Sequence, residues 1–270
     1  MKPIFLLTDF SDKDVYVGVV KAVIQRLAPG APVIDLCHQV PPFDVRGGTI
    51  RLEDAWPYLP RPCVVCAIVD PGVGSQRRGL IACCEHHTLI APDNGLLSPW
   101  LKRAEFVREL IADEDIQPHA SATFHGRDVF APAAAKIARG DYLQSFSREL
   151  DSPPVINDNL LPWIDEHQNL HLNVVATDVF GNVALNLRRE DVAALYPWLE
   201  EEVVELHVGS HRINRLSRSF SDVPPGKPLM LWNSADRLEV AVCEGNAQQA
   251  FALRIGDGVL LSRTKRVSGA

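Results

Sequence analysis

Residues 63–78 read CVVCAIVDPGVGSQRR. An unbroken apolar run, Cys63 to Val69, stops at Asp70, turns on Pro71, Gly72 and Gly74, and meets Arg77 and Arg78. A run of this length with no polar face is the mark of a strand covered on both sides, which is the strand of an α/β sheet. Cys63 and Cys66 form a CxxC, but residues three apart on a strand point to opposite faces. The pair therefore cannot chelate or cross-link as a unit. An acid at the end of such a strand and arginines returning after a glycine turn predict an Asp70–Arg77 ion pair. That pair either belongs to a site or simply braces a loop; the spacing fits both.

The segments around it alternate in the same way. PIFLLTD is an apolar run ending at Asp9, and PVIDLC is a second short strand. YVGVVKAVIQRLAPG has helical spacing, with Val17, Val20, Val23, Ile24 and Leu27 on one face and Pro29-Gly30 as the stop. DVRGGTIRLEDAWPYLP reads as a helix weakened at Gly47-Gly48 and ended near Pro57. GLIACCE and HTLIAPD pair around a short turn. GRDVFAPAAAKIARGD is a helix with Pro132 in its first turn and Gly140 closing it. Strands alternating with helices predict an α/β N-terminal domain, residues 1–160, with a largely parallel sheet and helices on both faces. Ligands bind such sheets at the carboxyl ends of the strands. Asp9, Asp70 and Asp93 all stand at those ends and are expected to share a site.

Residues 141–170 lack a clear period and read as a connector. From 171 to 270 the pattern changes. HLNVVATDVFGNVALNL, VVELHVGSHRI, PLMLWNSADRLEVAV and FALRIGDGVLLSR read as strands with Gly, Asn and Asp turns, and REDVAALYPWLEE as a helix. A smaller, mostly β, barrel-like C-terminal domain is expected.

Composition narrows the function. The 270 residues are 46% hydrophobic and 23% charged, with a net charge of −7. No basic cluster suggests a nucleic-acid surface. No apolar run reaches the length of a membrane span, and the N-terminal apolar stretch is cut short by Asp9. Six cysteines suit a reducing compartment, so a cytoplasmic protein is expected.

Several stretches could carry chemistry. In LTDFSDKDVYVG, residues 7–18, Asp9, Asp12 and Asp14 lie between a strand and a helix. Carboxylates there can accept paired hydrogen bonds from vicinal hydroxyls, hold a divalent metal, or cap the helix. Capping suits Asp12, and a ligand role suits Asp9. In ATFHGRDVFAPAAA, His125 sits in a loop feeding a helix, with Arg127 and Asp128 read as loop bracing and helix cap. CCEHH, residues 83–87, invites a metal reading, but neighbouring side chains at a hairpin turn splay apart. In TDVFGNVALN, Phe180 could stack on a flat heterocycle and Asn182 bond its edge, or Gly181-Asn182 could simply make a turn.

Together these segments resemble the S-adenosyl-L-methionine hydroxide adenosyltransferases, relatives of the fluorinating and chlorinating enzymes. The resemblance runs through LTDFSDKDVYVGVVKAVI, IDLCHQVPPFDV, IVDPGVGSQRR, APDNGLL, TFHGRDVFAPAAA, DVFGNVALN and NSADRLEVAV. It implies hydrolysis of S-adenosyl-L-methionine to adenosine and L-methionine, without a metal or other cofactor. It implies a water-positioning set of Asp70, Arg77 and His125. By the same resemblance Asp9 binds the ribose, Asp14 lies near the substrate amino group, and Phe43 forms an aromatic wall. Phe180 and Asn182 hold the adenine, and Asp178 and Ser234 lie near the methionine end. It further implies a homotrimer with each substrate between one subunit's first domain and its neighbour's second. The chain departs from the family pattern where TDFG becomes TDFS at Ser11, and where NSxG becomes NSAD at Ala235-Asp236. A bend that relies on glycine is expected to change at Asp236. The halogenating relatives carry tyrosine and threonine where this chain has Asp70 and Val73, and an acid there repels halide. Two other readings compete: a non-catalytic adenosyl-binding module, and a metal-dependent hydrolase built on Asp9, Asp14, Asp35 and His38.

Overall fold

The structure is a computed structural model, and it describes residues 1–111, 113, 116, 121–157, 161–196, 204–214 and 216–263. The chain divides into two compact units, Met1–Asp158 and Asn159–Ala270.

In the first unit the strands are β1 (Ile4–Thr8), β2 (Val33–Cys37), β3 (Val64–Ile68), β4 (Gly79–Cys84), β5 (His87–Pro92), β6 (Phe106–Leu110) and β7 (Ser147–Glu149). They form one sheet in the order β2-β1-β3-β5-β4-β6-β7. The expected largely parallel sheet is instead mixed. β2, β1, β3 and β5 run parallel, but β4, β6 and β7 are added antiparallel. The cause is the short turn at Glu85-His86, both at positive φ: a tight hairpin joins only antiparallel strands.

Helices cover both faces. α1 (Tyr16–Leu27) buries Val17, Val20 and Ile24 on the side where Ile4, Leu6, Val64, Cys66 and Ile68 point. α2 (Val45–Ala55) and the short α3 (Ser98–Leu101) cover the other side, against Phe5, Leu7, Val65, Ala67 and Val69. Cys63 falls in this second core and Cys66 in the first, as alternation along a strand requires. Asp44 caps α2 by accepting the Gly47 N–H at 2.8 Å. Gly48 costs helix propensity but lets α2 approach the sheet: a Cβ there would lie 3.0 Å from Val69 and 3.1 Å from Leu96.

α4 (Ala131–Arg139) packs beside α1 and ends at Gly140 in the left-handed region, φ 88°. The helical path starts at Gly126, as the stretch GRDVFAPAAAKIARGD predicts, but as a wide π turn over Gly126–Phe130; Pro132 then falls in the first turn of α4. In that wide turn the Ala131 N–H reaches back to the Gly126 carbonyl.

The second unit holds β8 (Trp163–Ile164), β9 (Leu170–Thr177), β10 (Val183–Arg188), α5 (Arg189–Leu195), β11 (Val204–Val208), β12 (His211–Ile213) and β13 (Leu216–Ser217). It continues with β14 (Pro228–Trp232), β15 (Arg237–Val242), α6 (Ala247–Ala250) and β16 (Gly258–Arg263). The order is β12-β11-β16-β9-β10-β15-β14-β13, with β8 on β9, wrapped around a main core, and Leu229, Leu231, Ala241 and Cys243 form a second, smaller cluster. Among the described residues no pairing joins the two ends, so the sheet curls without closing. Phe251 and Ala252, read as the start of a strand, instead form the turn after α6, which Asn246 caps through the Gln249 N–H at 2.8 Å. The helix read in REDVAALYPWLEE is present as α5; residues 197–201 of that stretch lie outside the described residues.

Candidate functional site

The sheet register assembles the first part of the site. β1 and β3 are parallel neighbours with Thr8 opposite Ile68, so Asp9 and Asp70 leave the sheet side by side at its carboxyl edge. The turn after Asp70 is tied by Val73 N–H to the Asp70 carbonyl, 3.3 Å, and by the Ser75 hydroxyl to the Gly72 carbonyl, 2.7 Å. It brings Arg77 back onto Asp70. Arg77 Nε donates to Asp70 Oδ1 at 2.8 Å, and Nη2 donates to Oδ2. Both side chains are nearly buried, 11% and 6% exposed. The guanidinium carbon lies 5.1 Å from the centre of the Phe130 ring.

The same Nη2 lies 2.7 Å from His125 Nδ1. A guanidinium has no acceptor, so Nδ1 must accept and the remaining proton of a neutral ring sits on Nε2. His125 is held in that neutral form: burial pushes its pKa below the usual value, the Arg77 charge pushes it further, and Asp70 and Asp128 pull the other way. Three residues distant in sequence therefore form one hydrogen-bonded set, with an acceptor at Asp70 and a donor at His125 Nε2.

Asp70 and His125 of this set line a cleft of about 250 Å³, together with Asp9. Asp9 is raised above the ordinary carboxylate range by burial, and the nearby Asp70 adds to the rise. Its Oδ2 accepts the Phe43 N–H at 2.9 Å, which opposes the rise. Phe43 has φ 68°, a left-handed backbone, and an exposed ring at the rim. Three aromatic residues of this cleft were not singled out in the sequence: Phe10, Tyr16 and Phe124, packed edge to face at 5.2–6.2 Å. Phe10 follows Asp9 and Phe124 precedes His125, so adjacency to a candidate residue was the available signal.

Other sequence candidates fall elsewhere. Asp14 is exposed and does not line the cleft. Neither Asp12 nor Asp14 caps α1, whose N-cap is Val15 without a side-chain bond; Asp12 accepts from Gln39 Nε2 at 2.7 Å. Asp128 is not a cap either. It lies inside the helical turn, accepts the Ser121 N–H at 2.8 Å and pairs with Arg127. Asp93 stands at the same sheet edge but does not share the site. Its carboxylate is occupied by Arg78, at 2.6 and 2.9 Å, and by the Val155 N–H at 2.8 Å. The two consecutive arginines thus serve two different acids. Asp35 and His38, grouped in the metal reading, face Lys21 and Thr8. Among the described residues no three His, Cys, Asp or Glu gather in a metal-binding arrangement.

In the second unit, Asp178 organises the turn between β9 and β10. It accepts the Phe180 and Asn182 N–H groups at 2.9 and 2.8 Å, and Asn182 Nδ2 at 2.9 Å. The result is a buried, oriented Asn182 amide beside a Phe180 ring that is 74% exposed. Ser234 is exposed on the turn between β14 and β15. At that bend Asp236 itself takes the left-handed region, φ 56°, and Asn233 Oδ1 accepts the N–H groups of Ala235 and Arg237 at 3.0 Å each. Ser11, the other departure, is likewise left-handed at φ 62°.

An α/β unit with a carboxylate–guanidinium–imidazole set at an aromatic cleft, followed by a β unit, has the make-up of a two-domain enzyme acting on a small molecule. Residues 4–147 match the SAM hydroxide adenosyltransferase N-terminal domain and residues 172–260 the C-terminal domain of the same family. The chain belongs to the SAM hydroxide adenosyltransferase family, SAM being S-adenosyl-L-methionine. It is 39% identical to an (R)-S-adenosyl-L-methionine hydrolase of Thermus thermophilus, over 97% of this chain and all of the relative. A fluorinase of Nocardia brasiliensis is more distant, 24% identical over 71% of this chain and 73% of its own. A conserved protein of Thermotoga maritima of known crystal structure superposes with a TM-score of 0.87 at 33% identity, covering 96% of this chain and 100% of that one.

Proposed function

We propose that the protein hydrolyses S-adenosyl-L-methionine, in the (R) form for which the Thermus relative is named, to adenosine and L-methionine. The observation that carries this reading is the Asp70–Arg77–His125 set at the edge of the cleft. A pure binding module would have no use for it. Water attacks the ribose 5′ carbon in line with the carbon–sulfur bond. A carbon–oxygen bond forms, the sulfonium leaves as the neutral thioether of methionine, and one proton is released.

The roles follow from the hydrogen-bonding capacity of each group. His125 Nε2–H donates to the water oxygen. Asp70, with both oxygens already bonded to Arg77, retains lone pairs to accept a water proton. Arg77 locks both partners and favours hydroxide character in the attacking oxygen. Holding water in line is worth as much as about 7–11 kcal/mol in favourable cases, more than the 10²–10⁴-fold of general base help alone. Positioning therefore dominates.

Asp9 accepts from the ribose hydroxyls, with Phe43 as a wall beside it. Phe180 stacks on the adenine and Asn182 bonds its edge. Asp14, Asp178 and Ser234 contact the amino-acid end. The working form is a homotrimer in which Asp9 and Asn182 around one substrate come from neighbouring subunits, and light scattering tests that state. The chemistry needs no metal. Incubation with S-adenosyl-L-methionine, with and without chelator, should release adenosine equally. Asp70→Ala should abolish release while leaving substrate binding nearly intact; a variant that still turns over refutes the assignment.

A further inference from the structure

A polar chain that the reaction itself does not use runs from buried Thr8 and His38 out to Asp35 and Lys21, which are open to solvent. Thr8, the last residue of β1, is 1% exposed, and His38 is 5% exposed. Thr8 Oγ1 accepts the Phe10 N–H at 3.2 Å and lies 2.8 Å from His38 Nδ1. The hydroxyl oxygen keeps a second lone pair, so either Thr8 Oγ1 or His38 Nδ1 can donate in this bond, and the other ring nitrogen is Nε2. That nitrogen lies 2.9 Å from Asp35 Oδ1, and Asp35 Oδ2 is held by Lys21 Nζ at 2.6 Å.

The sequence prepares this geometry with an irregularity. β1 and β2 pair in register through Leu6–Asp35, then slip so that Leu7 faces Cys37. The extra residue, Leu36, re-aims the chain just before His38. His38 then grips the loop after β1 from its backbone as well, since the Ser11 N–H donates to the His38 carbonyl at 2.8 Å. The loop returns the contact where Asp9 accepts the Phe43 N–H. Both loops carry a non-glycine residue in the left-handed region, Ser11 and Phe43. Such conformations persist only where surrounding bonds over-determine them.

We propose that His38 is the positioning residue for Asp9: through the Thr8 hydroxyl and the Ser11 N–H it clamps the Asp9–Ser11 loop to the Val40–Phe43 loop, and so sets the carboxylate at the angle needed to take the two ribose hydroxyls. This rests on the assignment of Asp9 to the ribose made above. His38 touches no substrate; it acts by fixing the loop that does.

The test is equilibrium binding of adenosine and of 2′,3′-dideoxyadenosine to the full-length protein, by calorimetry, with unfolding midpoints recorded in parallel. The wild type should prefer adenosine by about tenfold or more, as hydrogen bonds to a charged group allow. Thr8→Val removes the hydroxyl link, and His38→Ala removes the ring. Each should cut that preference at least about fivefold, while dideoxyadenosine binds as before. His38→Asn keeps an amide that can donate or accept near the former Nδ1 and should keep the preference within about twofold of wild type. Should His38→Ala fail to fold, Thr8→Val and His38→Asn decide alone. An unchanged preference in Thr8→Val overturns the inference by itself. Equal binding of the two nucleosides by the wild type overturns the ribose role of Asp9, and this inference with it.

Discussion

Arg77→Met isolates the energetics of the central ion pair. Asp70 is 6% exposed and Arg77 11%, and the pair is bidentate. Removing one partner of a buried pair strands a desolvated charge, at a cost of about 3–5 kcal/mol. An exposed pair would cost only about 0–1 kcal/mol. Replacing both charges, in Asp70→Asn with Arg77→Met, leaves no stranded ion. That double variant should lose only about 1–2 kcal/mol, the scale of ordinary hydrogen bonds. The two substitutions should therefore couple by about 2 kcal/mol or more, far beyond the scatter of independent sites. Urea unfolding of wild type, both single variants and the double variant gives the cycle. Turnover should be lost in every variant, so stability and chemistry are read separately. A loss under about 1 kcal/mol for Arg77→Met, or a double variant no more stable than the sum of the singles, would falsify the buried-pair reasoning.

The His125 ring should titrate below its ordinary value near 6.5, followed by NMR, because burial and then Arg77 disfavour its charged form. Its contribution to stability is accordingly complete above about pH 6.5 and lost as the pH falls through the lowered folded value; in Arg77→Met the titration should move upward. Gly74→Ala should cut kcat by about a hundredfold, since Gly74 has φ 79° and a Cβ would lie 2.3 Å from the Ala122 carbonyl, pushing on the loop that carries His125; an unchanged kcat contradicts this. Cys63 and Cys66, with thiols pushed up by burial to about 11 and about 12, should resist alkylation at pH 8 until the protein is unfolded.

The strands β1 and β3 were legible because nothing polar interrupts them, and α1 because its apolar positions repeat with the helical period. The mixed sheet was not, although the β4–β5 hairpin was. FVREL, residues 106–110, alternates too weakly to announce that it would pair with β4. Ala247–Ala250 is too short for any period to show. In the site, the acid at the strand end and the returning arginine were visible locally. Their meeting with His125 was visible only through the family resemblance, because it depends on where α4 packs. Asp93 looked equivalent to Asp9 and Asp70 from the sequence; only the partner chosen by Arg78 separates it. The Thr8–His38 link was hidden for a similar reason, since it needs the slip between β1 and β2.

The neighbouring arginines of this turn carry a consequence for how its length can vary. Arg77 holds the water-directing acid, and Arg78 holds Asp93 together with the Ser152 and Pro153 carbonyls. One added or deleted residue anywhere between 71 and 76 would rotate both guanidinium groups off their targets at once. Insertions should therefore be far less tolerable in this turn than in most surface loops, and any chain that did acquire one would have to rebuild its reactive edge and its sheet-edge brace in the same step.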